Sequence, residues 1–298
     1  MCKKLLLLLG LLSYTLVVQA APGDATPATQ DDELASTVLK AASSPKLGSS
    51  IAMIYDEQEQ IPLYSKNENT VAPIASITKL MTAMVVLDAN LPLDEEISIS
   101  ALDMDTLKGT RSRMNPGFKL TRGELLRLAL MASENRAAAA LARTYPGGAS
   151  TAVAMMNYKA RALDMNDTRF LDPTGLNSGN VSTAQDLVKM VQAAQRYGLI
   201  REFTTTSSHV FDLAGRRPMR FNNTNPLVKN TSWDIGVSKT GYISEAGRCL
   251  VMQAKIKQRP VIIVLLDSWG KFTRVGDANR IRKWMESAYT RTRNIRRS

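Results

Sequence analysis

Two apolar segments in the last third of the chain restrict its fold more than any other feature. Residues 242–256 and 260–267 are rich in aliphatic and β-branched side chains, and the short polar link Lys257-Gln258-Arg259 separates them. Segments of this kind predict two adjacent antiparallel strands. The first of these strands is predicted to begin at Lys239 and to continue through Cys249 and Val251.

Strands are also predicted near the other end of the chain. Residues 49–55 and 61–65 have strand character and flank the turn-like residues 56–60, which predicts a hairpin with a longer loop. The middle of the chain has helical periodicity instead. Helices are predicted from Ser76 to about Asn90, over 121–144 with a Thr121/Glu124 capping box, over 150–164, after the cap Ser182-Thr183, and over 278–289. The pattern predicts an α/β fold of the α+β type, in which an antiparallel sheet from both chain ends is flanked by helices and carries a helical subdomain.

The N-terminus has the layout of a secretory signal peptide. Lys3 and Lys4 precede an apolar run over residues 5–18, and Val18-Gln19-Ala20 offers small residues for cleavage after Ala20. A retained membrane anchor is the alternative, but the run is short for a bilayer span. We therefore predict a signal peptide over 1–20, a flexible arm over 21–45, one main folded domain over 46–290 and a basic tail over 291–298.

Export limits the partners and the metal chemistry. A net charge of +11 and a pI of about 9.7 favour an anionic partner, such as nucleic acid, anionic lipid or an acidic polymer. Export to the periplasm removes most nucleic-acid functions. Cys249 is the only cysteine after cleavage, so no intrachain disulfide is expected, and we expect an inert buried thiol. With one histidine and one mature cysteine, a zinc site of those ligands is nearly excluded, and no metal or cofactor is expected.

The segment Ser76-Ile77-Thr78-Lys79 opens the strongest predicted helix. Positions i and i+3 share a helix face, so Ser76 and Lys79 can meet. A serine hydroxyl becomes nucleophilic when a base takes its proton, and a lysine can be that base only if its charged form is disfavoured. Backbone N–H groups at a helix start would also stabilise an oxyanion. A helix cap followed by a solvated lysine is the plainer interpretation.

Two further polar segments complete the candidate site. Ser133-Glu134-Asn135 interrupts an apolar helix pattern and offers a hydroxyl to shuttle a proton and an amide to bind a substrate backbone. Lys239-Thr240-Gly241 lies at a strand start, where Gly241 allows close backbone approach. Lys239 would be the extra cation that lowers the pKa of Lys79, and Thr240 offers a hydroxyl to a substrate carboxylate. A solvated helix face and an ordinary edge strand are the alternatives.

In combination, S-x-x-K, S-x-N and K-T-G in this order resemble the motif set of penicillin-binding proteins and active-site serine β-lactamases. The segments "ASITKLMTAMVVLD" (75–88), "FLDPTGL" (170–176), "STAQDLVKM" (182–190) and "KTGYISEAGRCLVMQA" (239–254) resemble the low-molecular-mass D-alanyl-D-alanine carboxypeptidase and endopeptidase branch. The resemblance covers roughly residues 45–290.

The resemblance implies roles for these residues. Ser76 would attack the carbonyl between two D-alanine-type residues of a peptidoglycan stem peptide, and Lys79 would take its proton. Ser133 would help protonate the leaving amine, and Asn135 would orient the substrate amide. The backbone N–H groups of Ser76 and Tyr242 would form the oxyanion hole. By position, Arg274 best matches an arginine that holds the terminal carboxylate in this branch.

Several alternatives stay open. A class A β-lactamase would carry an E-x-x-L-N segment, which we do not find between Ser133 and Lys239. A Ser-His-Asp hydrolase would need His209, and no G-x-S-x-G elbow is present. A non-catalytic penicillin-sensing module would not need both lysines.

Within the branch, the sequence favours the endopeptidase over the carboxypeptidase. Many of the carboxypeptidases carry a second β-rich domain and an amphipathic membrane anchor, whereas this tail, "YTRTRNIRRS", has almost no apolar face. The expected partners are peptidoglycan stem peptides, with β-lactam antibiotics as covalent inhibitors and no nucleic acid. We expect a monomer whose membrane association is at most weak and electrostatic.

Overall fold

The computed structural model describes residues 43–212 and 217–295, with side chains through Arg291. The predicted signal peptide lies outside the described residues, as do most of the predicted arm and the last three residues of the basic tail.

The strands occur at both ends of the chain and in short pairs between them. They are β1 (Ser49–Asp56), β2 (Ile61–Lys66), β3 (Ala72–Pro73), β4 (Glu96–Ser98), β5 (Lys119–Thr121), β6 (Val181–Ser182), β7 (Ser208–Phe211), β8 (Met219–Asn222), β9 (Asp234–Ile243), β10 (Gly247–Ile256) and β11 (Arg259–Ser268).

The helices fill the middle of the chain, and one follows the last strand. They are α1 (Lys79–Asp88), α2 (Arg122–Met131), α3 (Asn135–Arg143), α4 (Gly148–Ala162), α5 (Ala184–Ala194), α6 (Gly198–Thr205) and α7 (Thr273–Ile295). Short 3₁₀ turns accompany them, η1 (Ala75–Thr78), η2 (Ala101–Asp103) and η3 (Pro226–Lys229).

A five-stranded sheet in the order β2-β1-β11-β10-β9 joins the two ends of the chain. All of its neighbouring pairs are antiparallel. The two-stranded sheets β3-β6, β4-β5 and β7-β8 lie in the helical region. The predicted fold class, an antiparallel sheet from both ends flanked by helices, is confirmed.

Both faces of the sheet are buried, which explains the nearly continuous apolar runs of its strands. Val251 and Val264 face a core that includes most of α1 and α5. Their neighbours Leu250 and Ile263 face the opposite side, where α7 covers the sheet. Because side chains alternate along a strand, each strand contributes to two separate layers of packing.

Three predicted boundaries differ from the structure. The strand expected to run from Lys239 through Val251 is two strands, because the chain turns at 244–246 and Gly247 has a φ of +60°. The helix expected over 121–144 breaks into α2 and α3 at Ser133, whose φ is +58°. The last helix extends beyond the predicted 278–289 at both ends, since its apolar signal marks only the part packed on the sheet.

Candidate active site

Ser76 lies in η1, immediately before α1, and is half-buried. Lys79 is the first residue of α1, so the two side chains leave one face of a continuous helical turn. The Lys79 Nζ donates to the Ser76 Oγ at 3.0 Å. This is the contact that the i, i+3 spacing predicted.

The Lys79 amine is held by acceptors from three directions. Besides Ser76, it donates to Asn135 Oδ1 at 2.7 Å and to the Thr174 carbonyl at 2.6 Å. Only 1% of Lys79 is exposed, so water does little to stabilise its charge. Burial lowers the pKa of Lys79 to about 8, although the carboxylates of Asp172 and Glu134 raise it. A lysine with such a pKa can accept a proton near neutral pH.

Ser133 lies in the break between α2 and α3, and Asn135 begins α3. The Lys239 Nζ donates to the Ser133 Oγ at 2.8 Å and to the Thr240 carbonyl at 2.9 Å. The second motif is therefore shared between the two lysines, because Asn135 contacts Lys79 and Ser133 contacts Lys239.

Lys239 is buried in β9, and burial lowers its pKa well below the usual value. The positive charges of Lys79 and Arg274 lower the pKa of Lys239 further. The sequence predicted that the repulsion between the two lysines would act on Lys79. In the structure burial is the largest cause of the lowered pKa of both lysines, and the repulsion between the two amines, which is mutual, acts in the same direction.

The backbone of β9 lies close to the turn η1 that carries Ser76. A Cβ on Gly241 would lie 2.9 Å from the Ile74 carbonyl oxygen and 3.1 Å from the Ser76 nitrogen, so only glycine fits without a shift. The Thr240 hydroxyl hydrogen-bonds the Thr224 hydroxyl at 2.6 Å. Tyr242 is 56% exposed, and the Arg248 guanidinium lies 4.5 Å from its ring centroid.

Arg274, in the first turn of α7, reaches the same strand. Its Nη1 donates to the Gly241 carbonyl at 3.1 Å. Its buried Nε has no hydrogen-bond partner among the described residues. Burial, followed by repulsion from Arg248, lowers the pKa of Arg274. A guanidinium with a free donor beside the K-T-G strand is suited to an anionic ligand group.

The chain is similar to known proteins that share this set of motifs. Residues 38–270 match the D-alanyl-D-alanine carboxypeptidase family, peptidase family S11. The chain belongs to this family. It is accordingly a serine-type D,D-peptidase, a hydrolase of the penicillin-binding protein group.

One relative and two solved structures illustrate this similarity. The chain is 46% identical over 262 residues to a D-alanyl-D-alanine endopeptidase of Pseudomonas aeruginosa, covering 84% of each chain. The Streptomyces K15 DD-transpeptidase structure is 28% identical with a TM-score of 0.76, covering 83% of this chain and all of that one. Penicillin-Binding Protein D2 from Listeria monocytogenes in its cefotaxime-bound form is 26% identical, with a TM-score of 0.72, and covers 82% of this chain and 99% of that one.

For this family member the structure also brings in residues that sequence reasoning missed. Thr174 and Gly175 come from the loop "FLDPTGL", which contributed to the resemblance but was given no place in the site. Asn135 also donates to Thr110 Oγ1 at 3.1 Å, and Thr224 contacts Thr240. Nothing in the sequence around Thr110 or Thr224 distinguishes them from other surface threonines.

The other two candidate groups, His209 and Cys249, make none of the hydrogen bonds described above. His209 is in β7, where its ring contacts Phe211 edge-on with centroids 4.7 Å apart. Cys249 is buried, and burial raises the pKa of its thiol to about 11, so the thiolate is scarce at neutral pH.

Metal clusters and membrane spans are both missing from the part of the chain that the structure describes. Within residues 43–212 and 217–295, no three His, Cys, Asp or Glu side chains are grouped as a metal site requires. Over the same ranges, no helix combines the length and the apolar character needed to span a bilayer.

Proposed function

We propose that this D,D-peptidase hydrolyses the D-alanyl cross-link between peptidoglycan stem peptides through an acyl-enzyme on Ser76. The observation that carries the proposal is the 3.0 Å hydrogen bond between the Lys79 amine and the Ser76 hydroxyl in a buried pocket. The pKa of about 8 leaves a usable fraction of Lys79 neutral at physiological pH.

Acylation begins with attack of the Ser76 Oγ on the carbonyl carbon of the scissile peptide bond. Lys79 Nζ takes the hydroxyl proton as the new C–O bond forms. The backbone N–H groups of Ser76 and Tyr242 stabilise the oxyanion. Ser133, held by Lys239, passes its hydroxyl proton to the leaving nitrogen as the C–N bond breaks, and the proton that Lys79 took then restores the Ser133 hydroxyl.

Deacylation returns the enzyme to its starting state. Water attacks the ester carbonyl, its proton goes to a site base, and the Ser76 oxygen recovers a proton as it leaves. Asn135 orients the amide of the acyl group while its own Oδ1 accepts from Lys79. Side chains and water supply every proton transfer in this sequence of steps, and the backbone N–H groups only donate hydrogen bonds to the oxyanion.

A substrate carboxylate is held at the K-T-G strand. Lys239 and Thr240 belong to this strand, and Arg274 is bonded to it through the Gly241 carbonyl, so these are the groups that we assign to the substrate carboxylate. The residue after the scissile bond of a D,D-peptide carries such a carboxylate. Penicillins carry one too, which accounts for their expected reaction with Ser76.

We assign the endopeptidase reaction ahead of the carboxypeptidase reaction. The P. aeruginosa relative at 46% identity carries the endopeptidase name. The family description itself is D-alanyl-D-alanine carboxypeptidase, which keeps removal of a terminal D-alanine as the second candidate. The enzyme is assigned to the periplasm, as a monomer whose basic surface favours the anionic wall.

The test offers the protein two substrates, with Ser76→Ala as control. A cross-linked muropeptide dimer and a monomeric pentapeptide stem are incubated separately, and products are identified by mass spectrometry. Ser76-dependent splitting of the dimer is the expected result. Loss of only the terminal D-alanine from the monomer would assign the carboxypeptidase reaction. A stable penicillin adduct on Ser76 without any product would overturn the hydrolase proposal in favour of a sensor.

A further inference from the structure

The third acceptor of the Lys79 amine belongs to a loop that none of the three motifs includes. This loop, residues 170–180, delivers the Thr174 carbonyl to Lys79 across 95 positions of the chain. It also lies against the nucleophile turn, because a Cβ on Gly175 would come within 2.0 Å of the Ala75 carbonyl oxygen. The loop therefore forms a wall of the site around both the base and the nucleophile.

One carboxylate, that of Asp172, organises this loop. Its Oδ2 accepts from the Thr174 backbone N–H at 2.9 Å and from the Thr174 hydroxyl. Its Oδ1 accepts from the backbone N–H groups of Gly175 at 3.1 Å and Asn177 at 3.3 Å. These bonds fix the direction of the Thr174 carbonyl, because it shares a planar peptide unit with the Gly175 N–H that Asp172 binds.

The loop is also tied to the helix that carries the base. The buried Asn180 amide donates to Asp172 Oδ1 at 2.9 Å and to the Thr78 hydroxyl at 3.0 Å, directly before Lys79. One turn later, the Thr82 hydroxyl donates to the Pro173 carbonyl at 2.7 Å. The loop that Asp172 organises is thus bonded to the helix both before and after Lys79.

We propose that Asp172 is a positioning residue of the catalytic base: it holds the Thr174 carbonyl on the Lys79 amine and places a negative charge beside that amine. The inference rests on the proposed role of Lys79 as the base. The loop would then affect acylation in two ways that can be tested separately. One is the position of the Lys79 amine, and the other is the negative charge of Asp172 beside it.

The charge effect has a defined direction. The charged groups around the Lys79 amine are Asp172 from the loop, Glu134 at the start of α3 and Lys239 from β9. Asp172 stabilises the protonated amine and so raises the pKa of Lys79 against the effect of burial. Removing its charge lowers that pKa, and the pH at which Lys79 becomes neutral falls with it.

The experiment measures penicillin acylation of Ser76 against pH for the wild type, Asp172→Asn and Thr174→Val. Asp172→Asn removes the charge and keeps the side-chain size. Thr174→Val removes the hydroxyl that binds Asp172 but keeps the charge and the Thr174 carbonyl. Since neutral Lys79 takes the proton, the rate rises with pH to a plateau, and the midpoint reports the pKa of the base.

The expected result distinguishes an effect of the Asp172 charge from an effect on the structure of the loop. The midpoint of Asp172→Asn moves to lower pH by about one pH unit, while that of Thr174→Val stays with the wild type even if its rate falls. An unchanged midpoint for Asp172→Asn, with only a lower plateau, would overturn the inference and leave Asp172 a structural residue. If Asp172→Asn does not fold, Asp172→Ser replaces it, because the serine hydroxyl can keep one bond of the turn.

This test also distinguishes two failures. A wild-type protein that penicillin does not acylate at any pH would overturn the proposed function. Normal wild-type acylation with no midpoint shift in the charge-removing variant would overturn the role of Asp172 alone.

Discussion

The Lys239 amine and the Ser133 hydroxyl lie 2.8 Å apart, which joins β9 to the break between α2 and α3 across 106 positions of the chain. Lys239 is also buried at the strand where the substrate carboxylate is expected. In the proposed mechanism one side chain therefore serves both the proton path and the binding of the anion.

Lys239→Ala is expected to lower the rate of Ser76 acylation by penicillin by about 10²-fold or more, because both functions of the amine are lost. The rate is measured by rapid-quench or fluorescent-penicillin labelling. Lys255→Ala, which removes an exposed lysine of the adjacent strand β10, serves as the matched control and should react normally. Near-normal acylation of Lys239→Ala would refute the role of Lys239.

Gly175→Ala should destabilise the protein and slow acylation together. Gly175 has a φ of +82°, and its new Cβ would lie 2.0 Å from the Ala75 carbonyl oxygen, so η1 would have to move. We expect a loss of at least about 3 kcal/mol in the free energy of unfolding, measured in urea.

Gly109→Ala is the control for Gly175→Ala. Gly109 also has a positive φ of +63°, but a Cβ added there would have no neighbouring atom within 4 Å. We expect Gly109→Ala to lower the free energy of unfolding by only about 1 kcal/mol, because only the strained backbone conformation contributes. Equal losses in the two variants would show that the contact with η1 does not matter.

Asp277→Asn should reduce stability at neutral pH. Burial alone would raise the pKa of Asp277, but hydrogen bonds from Ser49, Gly48 and Arg280 lower it below its ordinary value. A carboxylate with a lowered folded pKa stabilises the fold above its unfolded pKa, and this contribution disappears as the pH falls through the folded pKa. We expect a loss of about 1–3 kcal/mol at pH 7 that shrinks below about pH 4.

Urea unfolding at pH 7 and pH 3 measures this difference, with Asp234→Asn as the control because Asp234 is exposed. A difference between wild type and Asp277→Asn that is the same at both pH values would contradict the ionic role of Asp277.

Removal of residues 291–298 is expected to leave the fold intact. The side chains with which α7 covers the sheet, Ala278, Ile281, Met285 and Ala288, all precede the deletion. The melting temperature should change by no more than about 2 °C, since surface changes of this kind cost little. A drop of more than about 5 °C would show that the last turns of α7 are packed.

The sequence determined the parts of this enzyme that depend on local spacing. The i, i+3 separation of Ser76 and Lys79, the capping box of Thr121 and Glu124, and the apolar strands at both ends all follow from periodicities of one helix turn or one strand. Those periodicities predicted the fold class and the contact between the Ser76 and Lys79 side chains. They could not predict the break at Ser133, because its positive φ has no glycine or proline to mark it.

Only the tertiary structure sets the surroundings of the Lys79 amine. The acceptors Asn135 and Thr174 lie 56 and 95 positions from Lys79, and no local pattern connects them to it. Burial of Lys79 is what lowers its pKa to about 8, and burial depends on how the helices, the loop at 170–180 and β9 close around one amine. Desolvation is a property of the packed volume around a group, so it appears only when distant segments of the chain are assembled.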